Sequence, residues 1–102
     1  MLLTADDKIE SARERNVLGL IESVAQGSRS TVRELFGRRG YRHVSRARQE
    51  AYFRLADEYG WSTASIGELF GRDHSTVAHG IASHRSRCGI SGGTNARPRD
   101  AG

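Results

Sequence analysis

WSTASIGELFGRDHSTVAHGIASHRSR, from Trp61 to Arg87, decides the fold. Ile66, Leu69 and Phe70 recur at i, i+3 and i+4, the spacing of one apolar helix face. Ser62 or Thr63 is placed to cap that helix, because a short hydroxyl accepts from first-turn amides that have no partner. Gly71 follows at once, where a left-handed residue commonly stops a helix and glycine adopts that conformation without strain. Asp73 stands as the N-cap of a second helix, in which Val77, Ile81 and His84 recur at i, i+4 and i+7. Ala78 and Gly80 are small, so another element can approach this helix closely. Ser75, Thr76 and His79 lie off the apolar stripe and offer donors and acceptors to base edges and phosphates. Two short helices about a tight turn, with polar groups gathered where the second begins, are the layout of a helix-turn-helix. The second helix of such a pair enters the DNA major groove N-terminus first.

The 102 residues are 36% hydrophobic with a formal charge of +4, which predicts one domain with a small core. Sixteen residues are Lys or Arg, and all but Lys8 are Arg. A guanidinium presents a planar fork of donors to phosphate oxygens and guanine edges, so this balance favours nucleic acid over a membrane surface. The arginines are also unevenly placed. Seven lie between Arg29 and Arg48, against the single acid Glu34. The loop GRRGYRH, 37 to 43, carries Arg38, Arg39 and Arg42 beside Tyr41, and is read as a phosphate or minor-groove contact. Cys88 is the one cysteine, no signal peptide precedes the first charges, and no run is long enough to span a bilayer. A cytoplasmic, nucleoid-associated protein is expected, with no membrane, cofactor, nucleotide or metal requirement.

Ahead of the motif, Ile9, Ala12, Val17, Leu20, Ile21 and Val24 predict a long N-terminal helix running to Gln26, opened by a Thr4–Asp7 capping box and stopped at Gly27. Thr31 and Glu34 cap a short helix through Val32, Leu35 and Phe36. A third runs from Arg46 to Tyr59 behind Val44 as staple and Ser45 as cap, with Ala47, Ala51, Leu55 and Tyr59 along one face. Its first turn then holds Arg46, Arg48 and Gln49; cations there oppose the helix dipole, and a bound phosphate accounts for them. ELFGR occurs twice, at 34–38 and 68–72, which the shared grammar of helix stops explains. Residues 89–102, rich in Gly and without apolar period, read as a disordered tail. The expected organisation is all-α: an N-terminal helix over 1–27, a helix-turn-helix domain over 28–88, and the tail.

GELFGRDHSTVAHGI, preceded by VSRARQEAYFRLADEY, resembles the C-terminal DNA-binding domain of the bacterial replication initiator DnaA. The resemblance runs from about Ile21 to Arg87 and implies a compact helical fold of the Trp-repressor-like kind that reads double-stranded DNA. It assigns base contacts to Asp73, His74, Ser75 and Thr76, with Arg72 in the same signature. It places Arg48 and Gln49 on phosphates, and Arg46, Thr63, Arg72 and His79 join the expected backbone contacts. A minor-groove arginine of that family aligns with Gly40, leaving Arg38, Arg39 or Arg42 to take its place. Asp57 stands where the family often has a cation, and the turn GRDH is one residue shorter than the family's usual GGRDH. No GxxxxGK[ST] phosphate loop is present, so a small regulator without an ATPase is expected.

Catalysis is not expected. His74, His79 and His84 do not share a helix face, and His84 with Cys88 gives only two candidate ligands. Three readings stay open: a transcription regulator, a replication accessory factor that competes for initiator boxes, and an adaptor whose N-terminal helix binds RNA polymerase or another regulatory protein.

Overall fold

In a computed structural model, which describes residues 4–37 and 40–89, the chain is all-α. Its elements are α1 (Ala5–Glu14), α2 (Leu18–Gly27), α3 (Val32–Phe36), α4 (Arg42–Tyr59), α5 (Thr63–Phe70) and α6 (His74–Cys88). Arg38, Arg39 and the expected tail from residue 90 onward lie outside the described residues.

The N-terminal region departs from the single helix expected. Its apolar period slips by one residue between Ala12 and Val17, and the chain breaks there instead of leaving Val17 off the core face. Arg15 caps α1, Asn16 turns left-handed at φ 62°, and Val17 precedes α2 fully buried. Asparagine tolerates that conformation better than most residues. Gly19, expected in mid-helix, sits in the first turn of α2. The Thr4–Asp7 and Thr31–Glu34 capping boxes both form.

The long central helix also begins earlier than expected, at Arg42 instead of Arg46, with Tyr41 as an N-cap that makes no side-chain bond. Val44 is the reason. It is buried and starts the stripe that continues through Ala47, Ala51 and Leu55, so the helix must already exist there to aim it inward. Ser45 is therefore a helical residue and not a cap.

One continuous core joins the helices, built from Ile21, Val24, Leu35, Phe36, Leu55, Ile66, Leu69, Phe70 and Val77, among others. The phenylalanines of the two repeated segments meet inside it: the Phe36 and Phe70 rings lie 4.9 Å apart, and Tyr52 meets Phe70 edge-on at 5.0 Å. Lys8 reaches from α1 to this junction, where its Nζ donates to the Phe36 carbonyl at 3.1 Å beside the Gly71 turn.

The helix-turn-helix forms as expected. Ser62 caps α5 by accepting from the Ser65 N–H, Gly71 stops it at φ 69°, and the Asp73 carboxylate caps α6 by accepting from the Thr76 N–H at 3.1 Å. Buried Gly67 lets the backbone entering α6 fold back on α5, and the Arg72 N–H donates to its carbonyl at 2.9 Å. Buried Gly80 likewise admits Tyr52 and Gln49 of α4 against the α6 backbone.

Candidate nucleic-acid interface

A notch of about 180 Å³ opens between the first half of α6 and the N-terminal half of α4. Ser45, Arg48, Gln49, Tyr52, Arg72, Thr76, His79 and Gly80 line it, and no acidic residue does. Its cations are held by the protein's own frame. Arg48 is 7% exposed; its Nε donates to the Leu35 carbonyl at 3.0 Å and its Nη2 to the carbonyls of Glu34 and Gly37 at 2.9 and 2.8 Å. Arg72 donates Nη2 to the same Gly37 oxygen at 3.1 Å. Burial first, and the neighbouring Arg72 second, press the Arg48 pKa below the usual guanidinium range. Burial likewise raises the Tyr52 phenol, against the pull of the two arginines. Two cations converge on one carbonyl beside the start of α6, which makes the notch an attractive seat for an anion.

The remaining charges sort by position. Arg13 pairs with Glu10, Arg15 with Glu68, Arg33 with Asp6 and Arg54 with Glu58. Among the described residues, Arg29, Arg42, Arg46, Arg72, Arg85 and Arg87 form no ion pair with a carboxylate. Five of these belong to α4, to α6 and to the turn between the motif's helices, and Arg29 stands between α2 and α3. Arg85 lies over the Phe53 ring, and the cations around α1 and the far end of α4 are paired within the fold.

His74, Ser75 and Thr76 are exposed at the start of α6, where the sequence placed the base contacts. Asp73 is exposed too, with one carboxylate oxygen committed to the cap. Hydrogen bonding from the Thr76 hydroxyl, and next from its backbone N–H, holds the Asp73 carboxyl below the usual range. His79 joins the notch, and Arg42 and Arg46 are exposed along α4. Two expectations change. Arg46, Arg48 and Gln49 lie in the second turn of α4, so the helix-end argument for a phosphate does not apply to them. Arg48 braces the end of α3 instead of standing exposed: its guanidinium reaches the carbonyls of Leu35 and Gly37, and shares that of Glu34 with the Gly37 N–H. Thr63, half-buried at the first position of α5, is not part of the notch. Sequence reasoning missed Ser45, which the assumed cap role concealed, and Arg87, whose Nη1 donates to Gln49 Oε1 at 2.7 Å. Tyr41, 58% exposed beside the basic loop, stacks on His43 with ring centroids 6.2 Å apart.

Away from the notch, His84 is half-buried against Phe53, ring centroids 5.0 Å apart, and its Nε2 lies 3.5 Å from Cys88 Sγ. Among the described residues no three His, Cys, Asp or Glu side chains gather as a metal site, and no helix is long and apolar enough to cross a membrane. Burial holds the His84 pKa below its ordinary value; Glu50 pulls it up and Arg87 pushes it down. A depressed folded pKa means that the unfolded chain binds the proton more readily. The contribution of neutral His84 to stability is therefore complete above its unfolded pKa and lost as pH falls through the folded value. The melting temperature is expected to fall between about pH 7 and pH 5.5, and less so in His84→Leu. Thermal melts of both proteins at the two pH values check this; parallel changes would remove His84 as the cause.

The family model for the bacterial dnaA protein helix-turn-helix matches residues 19–83. The chain is 40% identical over 63 residues to the chromosomal replication initiator protein DnaA of Thermomicrobium roseum, and 38% identical over 63 residues to those of Neisseria meningitidis and Neisseria gonorrhoeae. Those alignments cover 61% of this chain but only 14% of the first relative and 12% of the other two. No solved structure matches it.

Proposed function

Because the chain belongs to the bacterial DnaA helix-turn-helix family, we propose that it binds double-stranded DNA sequence-specifically and acts as a transcription regulator. The acid-free notch beside the exposed His74–Thr76 turn carries this reading. A phosphate seated against Arg72, Ser45, Thr76 and Gln49 would fix the register of α6, and the side chains at its start would then face base edges. Phosphate contacts position a recognition helix and base contacts specify the sequence, so both halves of a reader are side by side here. Arg42, and Arg46 with it, would track the backbone beyond the notch. Occupancy of a promoter site suffices to recruit or block RNA polymerase, which is why the regulator reading is preferred to a role in replication.

Selection of bound sequences from a random duplex pool at two salt concentrations tests the reading. A reproducible motif supports sequence-specific recognition, and one resembling initiator boxes turns the proposal toward competition at those boxes. Salt-sensitive binding without enrichment reduces the chain to a backbone binder, and absence of binding rejects the reading. On the selected site, His74→Ala is expected to lose about 1–3 kcal/mol and to relax preference at one position, with non-specific affinity little changed. Equal losses on specific and random duplexes would place His74 on the backbone instead.

A further inference from the structure

We propose that Arg87 is a positioning residue that orients the side-chain amide of Gln49, so that its NH₂ group faces DNA phosphate. The proposal rests on the DNA-binding reading above, in which the notch receives a phosphate.

The contact is Arg87 Nη1 to Gln49 Oε1, 2.7 Å, and it ties the last turn of α6 to the middle of α4. Its chemistry admits one orientation. A guanidinium has donors and no acceptor, so its partner on a glutamine must be the carbonyl oxygen and not the amide nitrogen. With Oε1 committed, the two Nε2 hydrogens remain, and among the described residues they have no acceptor. Gln49 is half-buried and lines the notch with Arg48, Arg72 and Thr76. An anion there is held by donors. A flipped amide would bring an oxygen toward the phosphate and turn attraction into repulsion.

The rest of the packing limits the side chain to this choice. The Gln49 Cγ lies across Gly80, 3.3 Å from where a β-carbon would stand, so the stem is laid flat on the α6 backbone. Gly80 and Arg87 are seven residues apart and share one face of α6. The stem and the oxygen of Gln49 are therefore held at two points on the same helix, two turns apart. Arg87 forms no ion pair with a carboxylate among the described residues, although Glu50 lines the adjacent cleft with it. Its exposed position in the final turn of α6 offers two competing roles: direct contact with a phosphate, and a favourable interaction with the helix dipole.

A double-mutant cycle of Arg87→Ala and Gln49→Ala, read by DNA affinity on a random-sequence duplex at fixed salt, separates these roles. Arg87→Ala is expected to weaken binding about tenfold when Gln49 is present and about twofold when it is absent, the residual being loss of one positive charge. Arg87→Lys keeps a donor and is expected to restore most of the affinity. Gln49→Glu still pairs with Arg87 but presents oxygen to the phosphate, so it should bind more weakly than Gln49→Ala. Side-chain amide resonances of Gln49 report the orientation directly: DNA should shift them in the wild type and leave them nearly unmoved in Arg87→Ala. Equal losses in both backgrounds, or amide resonances that ignore DNA in the wild type, overturn the proposal while DNA binding stands. A wild-type protein without affinity for DNA overturns the DNA-binding reading, and the proposal with it. Thermal melts of each variant identify a loss that comes from unfolding, and a dipole role alone would lower the melting temperature with no coupling to Gln49.

Discussion

Alanine at position 67 is expected to cost about 3 kcal/mol or more, the largest loss expected from adding a methyl group at any of the described glycines. A β-carbon on Gly67 would stand 2.4 Å from the Arg72 carbonyl oxygen. That neighbour is backbone at the entrance to α6, so no rotamer change relieves the clash. Either α5 and α6 separate, or the Gly71–Asp73 turn is rebuilt. The hydrogen bond from the Arg72 N–H to the Gly67 carbonyl sits at the same point and would be strained with it. Set against a total stability of about 5–15 kcal/mol for a domain of this kind, the loss removes between about a fifth and about three fifths of it. Two other glycines calibrate the result. At Gly80 the obstruction is the Tyr52 ring at 2.8 Å, a side chain that can yield, so Gly80→Ala should cost about 1–3 kcal/mol. At Gly19 nothing lies within 4 Å, and alanine there should be neutral or stabilise by up to about 1 kcal/mol. Denaturant melts of the three variants test the order. A Gly67→Ala midpoint close to that of the wild type would mean that the two helices are not as closely packed as this geometry requires.

Gly67 also marks what the sequence made legible. The motif itself could be read, because its signals are local: the stripe of Ile66, Leu69 and Phe70, the stop at Gly71 and the cap at Asp73 all act within a few residues. Gly67 within that stripe carries no such signal, since what it approaches is fixed only when the next helix folds back. The same distinction separates Asp73 from Arg48. A cap is decided three residues away, at Thr76, whereas the partners of Arg48 lie 11 to 14 residues earlier on another element. The break at Asn16 was written in the slip between Ala12 and Val17, yet each half of that stretch keeps a helical period and only burial of Val17 shows the phase change. Val44 was misread for a related reason. A hydrophobic residue just before a serine fits a staple and cap, and also fits the first buried turn of a longer helix. Of the interface, the exposed groups His74, Ser75 and Thr76 could be named from their place at a helix start. The notch could not, because α4 and α6 contribute to it jointly.

Arg48 carries the second large effect, and the same variants decide whether it serves the fold or the DNA. Arg48→Ala is expected to destabilise the protein by about 3 kcal/mol, since it strips donors from the carbonyls of Glu34, Leu35 and Gly37 at the end of α3. The helix it serves has only five residues; the Gly37 N–H reaches the Glu34 carbonyl, but among the described residues no main-chain N–H reaches that of Leu35. Gly37 is shared with Arg72, so losing Arg48 also loosens the second cation of the notch. DNA affinity should therefore fall along with stability. Arg48→Lys separates this bracing from a direct contact. An ammonium keeps the charge but cannot span carbonyls that a planar fork reaches together. If Arg48 acts chiefly on phosphate, lysine should retain wild-type stability and most of the salt dependence of binding. With bracing as its main role, lysine should lose about 1–2 kcal/mol of stability and weaken all duplexes alike through a disordered notch. Denaturant melts and the salt dependence of binding, measured on both variants, give the answer. An Arg48→Ala protein that melts like the wild type would return this residue to the DNA surface. The geometry argues for the other result, because a cation that meets three main-chain oxygens while 7% exposed is held there before any DNA arrives.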